Sequence, residues 1–374
     1  MSPTLLIVTP FGTAGGGAEL WLLGILGDGA LQRAGWAIDA IVLQEGPLTD
    51  ELRKRGVKAV TYPLPASATG ILLRTPRLRR LITARTPDVV LGNGVKAQLA
   101  VALALTGLRI PTVWVKHDHS YDRSLARALA ERADTVVATA LEVGEPTCRD
   151  DLMIIEPPRP SEPLTASEAA RVLRDHGWQP TTRLTLAMLT RLVPYKGVDL
   201  AISALADPRC DAWELLVIGD DDPSTPGESR RLRAMAERLG VNDRFLMTGK
   251  INEAGRLLSA VDAVAVLTRP GEPGAPTREG FGIVAAEAML SGIPVIVAQE
   301  GPISRRLRTQ TGPAGIALQS PTSECLVEAL VRLADEGTRA SMGACGAVAA
   351  RDLPDQAQVA QAFADILERY RPQP

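Results

Sequence analysis

Short apolar runs recur along the chain, each closed by glycine, proline or a charged cluster and followed by a segment whose apolar residues return every three or four positions. Thr4-Leu5-Leu6-Ile7-Val8-Thr9 stops at Pro10 and a glycine-rich loop, and a helical pattern then runs from Ala18 to about Arg33. A run that is apolar throughout reads as a strand buried on both faces; a period near 3.6 reads as a helix with one buried stripe. The same reading predicts strands at 38–43, 59–62, 88–91 and 112–116, with helices at 47–55, 77–84 and 96–105.

After residue 180 the alternation restarts. Strands are predicted at 184–189, 214–218, 244–247, 263–267 and 294–297, with helices at 197–205, 229–239 and 282–290. Strands alternating with helices imply parallel sheets covered on both faces, so the fold class expected is α/β, with two Rossmann-like doubly wound domains in series. Glu-Pro-Pro-Arg-Pro-Ser-Glu-Pro-Leu-Thr at 156–165 has no periodicity and suits a semi-rigid linker. It divides the chain into domains 1–160 and 161–352, with 353–374 as a terminal helix returning toward the first domain. Ligands of open α/β sheets bind beyond the carboxyl ends of the strands, and two facing domains would enclose a cleft there.

Composition narrows the picture. At 45% hydrophobic residues over 374 positions, the chain has enough apolar surface for two cores, which excludes disorder. A net charge of -2 and 3% aromatic residues remove both the phosphate attraction and the stacking surface of a nucleic-acid binder. Cys148, Cys210, Cys325 and Cys345 are scattered without a CxxC pair, which fits core thiols in a reducing compartment. Met1 to Ala18 lacks charge but also lacks a basic leader and is broken by Pro and Gly, so neither a signal peptide nor a spanning helix is expected, and the cytoplasm is the expected location.

Four stretches carry candidate chemistry. Glu279, Gly280, Phe281, Gly282 and Ile283 open a predicted helix that contains Glu287 and ends at Ser291-Gly292. A helix start presents free N–H groups and partial positive charge, which suits a diphosphate. Eight residues of helix rise ~12 Å, so two carboxylates at that spacing address separate hydroxyls of an elongated ligand. Arg191 and Lys196, in the loop after strand 184–189, supply a fork of donors and a point charge for phosphate oxygens. Gly15, Gly16 and Gly17 let a ligand approach the backbone of the first loop. Lys116-His117-Asp118-His119 follows strand 112–116 and holds two of the three histidines.

Taken in order, Gly15 to Glu19, His117-Asp118, Arg191 through Gly197, Val217-Ile218-Gly219-Asp220, and Glu279 through Gly292-Ile-Pro-Val resemble the family-4 retaining glycosyltransferases of GT-B fold. The likeness runs over nearly the whole chain. It implies a retaining hexosyltransferase that uses a UDP- or GDP-sugar donor and an acceptor that is a small molecule, a glycan or a lipid-linked species. By the resemblance, Arg191 and Lys196 hold the donor diphosphate, Glu279 the hexose and Glu287 the ribose. The backbone at Phe281 and Gly282 faces sugar and phosphates, and Gly249, Lys250 and Ile251 cradle the base. His117 matches the family histidine, with His119 as the alternative. No cofactor and no metal are implied. The Pro/Gly-rich passage Thr268 to Arg278 is longer than the usual lead into the first glutamate, which points to a reshaped sugar pocket.

Two stretches have ordinary readings beside functional ones. Asp220-Asp221-Asp222 has the look of a metal-binding acid cluster but follows a strand and leads into Pro/Gly text, as a polar loop would. Leu72 to Pro87 interleaves leucines with Arg74, Arg77, Arg79, Arg80 and Arg85, either a solvated helix face or a peripheral membrane contact. A nucleotide-sugar epimerase or a sugar phosphorylase on the same fold is the alternative enzyme class. The first loop does not fit G-x-G-x-x-G, which speaks against a nicotinamide enzyme.

Overall fold

The computed structural model describes residues 2–13, 16–27, 29–65, 67–123, 125–223, 225–269, 279–299 and 301–372. The chain forms two compact units, one of residues 1–158 with 354–374 and the other of residues 159–353.

In the first unit the strands are β1 (Thr4–Thr9), β2 (Ala37–Val42), β3 (Lys58–Thr61), β4 (Val89–Asn93), β5 (Thr112–Lys116), β6 (Thr135–Ala138) and β7 (Met153–Ile154). They form one parallel sheet in the order β3-β2-β1-β4-β5-β6-β7. The inner strands β1, β4, β5 and β6 are buried along almost their whole length because both faces are covered. Leu5 and Ile7 pack with Trp21, Ile25 and Phe363, while Leu6 and Val8 pack with Leu78, Ile82 and Val101 on the other side. Phe363 comes from the helix Gln356–Leu367, and its ring meets Trp21 edge-on at 5.6 Å.

The second unit repeats the plan with β8 (Leu184–Leu189), β9 (Trp213–Ile218), β10 (Phe245–Gly249), β11 (Ala263–Val266), β12 (Val295–Val297) and, after the small antiparallel hairpin β13 (Arg308–Thr309) and β14 (Gly312–Pro313), β15 (Gly315–Ala317). The sheet order is β10-β9-β8-β11-β12-β15, all parallel. Leu186 and Met188 face Ile202, Leu232 and Leu330, whereas Ala187 faces Leu257, Ala285 and Ala288. Strand order reverses between β1 and β4 and between β8 and β11, so each unit has a switch point where helices depart to opposite faces and leave a crevice.

Several expectations need correction. The first helix does not run unbroken to Arg33: it ends at Gly27, and a separate turn of helix, Ala30–Arg33, starts from Gly29 at φ 73°. The helix expected from Arg77 begins nine residues earlier, at Ala68, with Pro76 inside it. Leu72, whose carbonyl Pro76 cannot engage, is exposed, so solvent reaches that side of the helix. β6 and β7 were not predicted. Of the four cysteines only Cys210 is buried, and Cys148 is exposed rather than part of a core.

Candidate functional site

Thr9, Asn93 and Lys116 end β1, β4 and β5, side by side at the switch point of the first sheet. Asn93 is fully buried and donates through Nδ2 to Thr9 Oγ1 (3.2 Å) and, at 3.5 Å, to the carbonyl of Ala18. That leaves Asn93 Oδ1 as acceptor toward His117 Nε2 at 2.6 Å, which assigns the imidazole proton to Nε2. Trp21 closes the other side of the ring edge-on at 5.4 Å. Burial is the main cause that pushes the His117 pKa down to about 4, with Asp118 opposing and Lys116 reinforcing the shift. The imidazole is therefore neutral at physiological pH.

His119 has a different environment. Lys116 is fully buried, and its Nζ donates to Asp122 Oδ1 (2.6 Å) and to the carbonyl of Asp118. His119 Nδ1 meets the other Asp122 oxygen at 2.9 Å. This buried group ties loop 117–122 back to β5 and leaves His117 at the switch point. In the first loop, Gly16 leaves room for the Glu19 carboxylate, which lies 2.2 Å from where a Cβ on Gly16 would sit. Gly17 is the first residue of its helix. Gly15 lies outside the described residues.

The second unit gathers more of the predicted residues. Lys196 leaves the loop after β8, Thr268 follows β11, and both meet Glu279 at the switch point of the sheet. Lys196 Nζ and Thr268 Oγ1 each donate to Glu279 Oε1, and Lys196 also reaches Thr268 Oγ1 at 3.2 Å. Burial alone would raise the Glu279 carboxyl. The Lys196 charge, hydrogen bonds from Lys196 and Thr268, and the Arg191 charge outweigh it and hold the group below its usual value.

The loop carrying Lys196 is braced. Gly197 sits at φ 75° with Leu267 O only 2.5 Å from an ideal Cβ, so the position admits glycine alone without a backbone shift. Arg269 donates its backbone N–H to Tyr195 O and its guanidinium to Pro194 O and Asp199. Arg191 projects outward, gripped by Asp222 through Nη1 and by Tyr195 Oη at 3.1 Å through Nη2.

Helix Ile283–Leu290 starts after Gly282, at φ 79°, with Gly280 and the buried Phe281 just before it. The Arg306 guanidinium lies 3.8 Å above the Phe281 ring. Glu287 stands on this helix, as expected, and desolvation pushes its pKa up to about 7. Among the described residues no side chain or backbone N–H donates to its carboxylate. Gly249 ends β10, accepts a hydrogen bond from the Gly219 N–H at 3.0 Å and leads into exposed Lys250 and half-buried Ile251. Gly219, Asp220 and Gly249 line a cavity of about 340 Å³ with Arg233. The larger cavity, about 460 Å³, lies by Asp39, Lys58 and Arg85, low on β2 and β3 and away from the carboxyl ends.

The three consecutive aspartates divide their tasks. Asp221 caps the helix Glu228–Arg238 by accepting from the Ser229 and Gly227 N–H groups at 2.7 and 3.0 Å, Asp222 grips Arg191, and Asp220 is exposed. Thr268, Asn93 and Gly255, which faces Glu287, escape sequence reading, and Asp222 reads only as part of a polar loop. Asn93 and Thr268 do leave a trace, as polar residues directly at or after the end of apolar strands.

Two doubly wound units of this strand order define the GT-B architecture. Residues 173–346 match the model of glycosyl transferases group 1, and residues 29–150 that of glycosyltransferase family 4. The solved structure of HepE from Anabaena, in complex with UDP and glucose, superposes with a TM-score of 0.81 at 22% identity, covering 98% of this chain and 100% of that one. A D-inositol 3-phosphate glycosyltransferase of Acidothermus cellulolyticus is 29% identical over 199 residues, 52% of this chain and 42% of the relative. The chain thus spans under half the length of that relative. A GDP-mannose-dependent alpha-(1-6)-phosphatidylinositol monomannoside mannosyltransferase of Mycobacterium tuberculosis is 25% identical over 316 residues, 79% of this chain and 80% of that protein. The chain belongs to the family-4 glycosyltransferases.

Proposed function

We propose that the protein is a metal-independent, retaining hexosyltransferase that moves a sugar from a UDP- or GDP-sugar to an acceptor hydroxyl. The observation that carries the proposal is the layout along helix Ile283–Leu290. Lys196 and Glu279, with Arg191 close enough to act on that carboxylate, stand before its start, and a half-buried carboxylate without a donor, Glu287, stands a turn further along it. A diphosphate fits the first place. A ribose diol, which brings two O–H donors, fits the second.

In this reading Arg191, Lys196 and the first N–H groups of the helix stabilise charge on the departing diphosphate, the term that dominates such barriers. Glu279 orients the hexose, and the backbone at Gly249 to Ile251 faces the base. The bond from the anomeric carbon to the diphosphate oxygen breaks while the acceptor oxygen bonds the same face of that carbon. The acceptor proton passes to a phosphate oxygen of the leaving group, so no cofactor takes part. Neutral His117 accepts a hydrogen bond through Nδ1 and orients the sugar.

Two of the relatives are named for inositol 3-phosphate and for phosphatidylinositol monomannoside, which supports an anionic polyol acceptor. Among the described residues no helix is long and apolar enough to cross a membrane. We place the enzyme in the cytoplasm, with the arginine-rich face of 72–87 as its contact with anionic lipid.

A thermal-shift panel of UDP-, GDP- and dTDP-sugars, with and without EDTA, tests the proposal. A ligand at ~100 times its dissociation constant stabilises by ~2.7 kcal/mol, readily visible as a shift. The ligand that shifts is then incubated with candidate polyol acceptors. No shift with any donor, or turnover of donor that needs free phosphate or yields an epimer without acceptor, counts against transfer.

A further inference from the structure

The Glu287 carboxylate occupies space that a neighbouring residue leaves empty. An ideal Cβ on Gly255 would lie 2.0 Å from Glu287 Cδ and 2.2 and 2.5 Å from the two carboxylate oxygens. Contacts of that length do not survive, so a methyl group at 255 forces either the backbone or the carboxylate to move.

The backbone is poorly placed to yield on either side. Gly255 belongs to the 3-10 turn Ala254–Ala260, whose Leu257 and Leu258 are buried in one cluster with Ala285 and Ala288 of the Glu287 helix. The turn is also stitched to the segment before the sheet: Arg256 O accepts from the Leu164 N–H at 2.9 Å, and Ser259 Oγ donates to Leu164 O at 2.6 Å. On the helix, Ala285, Ala286 and Ala288 are fully buried, so it cannot slide outward without opening a void. The side chain of Glu287 is the part that moves.

We propose that Gly255 is a positioning residue, whose missing side chain keeps open the slot that aims the Glu287 carboxylate at the 2′,3′-diol of the donor nucleotide. This rests on the reading of Glu287 as the ribose contact. A carboxylate only accepts hydrogen bonds, and a vicinal diol offers two donors, so direction decides whether both bonds form. Gly255 thereby selects ribonucleotides over nucleotides lacking those hydroxyls, without touching them.

The test measures binding of UDP, GDP and their 2′,3′-dideoxy analogues by calorimetry to wild type, Gly255→Ala, Glu287→Ala and the double variant. Wild type should prefer the ribonucleotide by about tenfold or more, the scale of hydrogen bonds to a charged group. Gly255→Ala should lose that preference while binding the dideoxy form as wild type does, and adding Gly255→Ala to Glu287→Ala should change nothing further. Gly255→Ala combined with Glu287→Asp, one methylene shorter, should recover part of the preference and guards against a single variant that folds poorly. Undiminished preference in Gly255→Ala, or equal losses in the presence and absence of the Glu287 carboxylate, overturns the role of Gly255 alone. A wild type that does not distinguish the two nucleotides overturns the ribose reading of Glu287 itself.

Discussion

Lys196 Nζ donates to Glu279 Oε1 across 83 residues of sequence, and Thr268 Oγ1 donates to the same oxygen. Unlike an exposed ion pair, this one is mostly shielded, with side chains 20% and 25% accessible, and it joins the loops that follow the two strands flanking the switch point. The ammonium is held where a diphosphate would need it and the carboxylate where a sugar hydroxyl would meet it.

Glu279→Ala should lower kcat/KM for transfer by on the order of a hundredfold or more, since it removes one contact to the reacting sugar and frees the ammonium that accompanies it. Thr268→Val keeps the shape and removes two hydrogen bonds, one donated to Glu279 and one accepted from Lys196; kcat should fall about tenfold, with nucleotide affinity changed less. Steady-state kinetics alongside melting curves separate these effects from misfolding. Wild-type turnover in Glu279→Ala would falsify the assignment.

Much of the frame was legible from the strands. β8 was read with its observed bounds, because an apolar run closed by a polar loop has one reading when both faces are covered. The helix Ala68–Thr83 is longer than the stretch 77–84 that the apolar period marks, because it carries Pro76 where the turn before it is exposed to solvent. Charged site residues such as Lys196 and Glu279 announced themselves by following a strand or opening a helix. The tasks of Asn93, Asp222 and Gly255 did not show, even though Asn93 ends a strand, since each acts on a residue distant in sequence, through a contact that only the sheet order creates. The buried Lys116 with Asp122 and His119 differs: the three are close in sequence, and what the sequence does not show is that Lys116 is fully buried and pairs with Asp122, while His119 is turned to Asp122 and away from His117.

Asp222 has a measurable task. It grips Arg191 from a nearly buried position, whereas the guanidinium is 63% exposed. Asp222→Asn should free Arg191 to sample other rotamers and weaken UDP or GDP binding by about tenfold, at small cost in melting temperature. Arg191→Ala should lose at least as much, and combining the two changes should add little, as expected of residues acting through one contact. Fully additive losses would separate Asp222 from Arg191.

His117, with its pKa pushed down to about 4, should contribute no inflection to the pH–rate profile between pH 5 and 8. Its effect on stability has a definite sign. The unfolded chain takes up a proton near 6.5 and the native one only near 4, so this contribution is complete above 6.5 and is lost as pH falls through that window. Asn93→Asp places a carboxylate on Nε2–H, raises the imidazole pKa and should bring an inflection into the pH 5 to 8 range. A profile unchanged by Asn93→Asp would mean that His117 takes no part in turnover.

Glu287 gives the opposite sign. Its pKa is raised from 4.5 to about 7 by desolvation, so between those values the native state holds a proton that the unfolded chain has released. Stability therefore falls as pH rises from 4.5 through 7, by an amount on the order of 3 kcal/mol at ~1.4 kcal/mol per pKa unit. Glu287→Gln removes the group, so its melting temperature should stay flatter across this window and exceed that of wild type near pH 8. Nucleotide binding should show the converse. Hydroxyl donors favour the ionised carboxylate, so the ribonucleotide binds with release of a proton, and its affinity rises with pH until about 7. Calorimetry at pH 6 in two buffers of different ionisation enthalpy reads that proton directly. Wild type should release up to one proton per nucleotide and Glu287→Gln distinctly less; equal release by both would remove Glu287 from the nucleotide site.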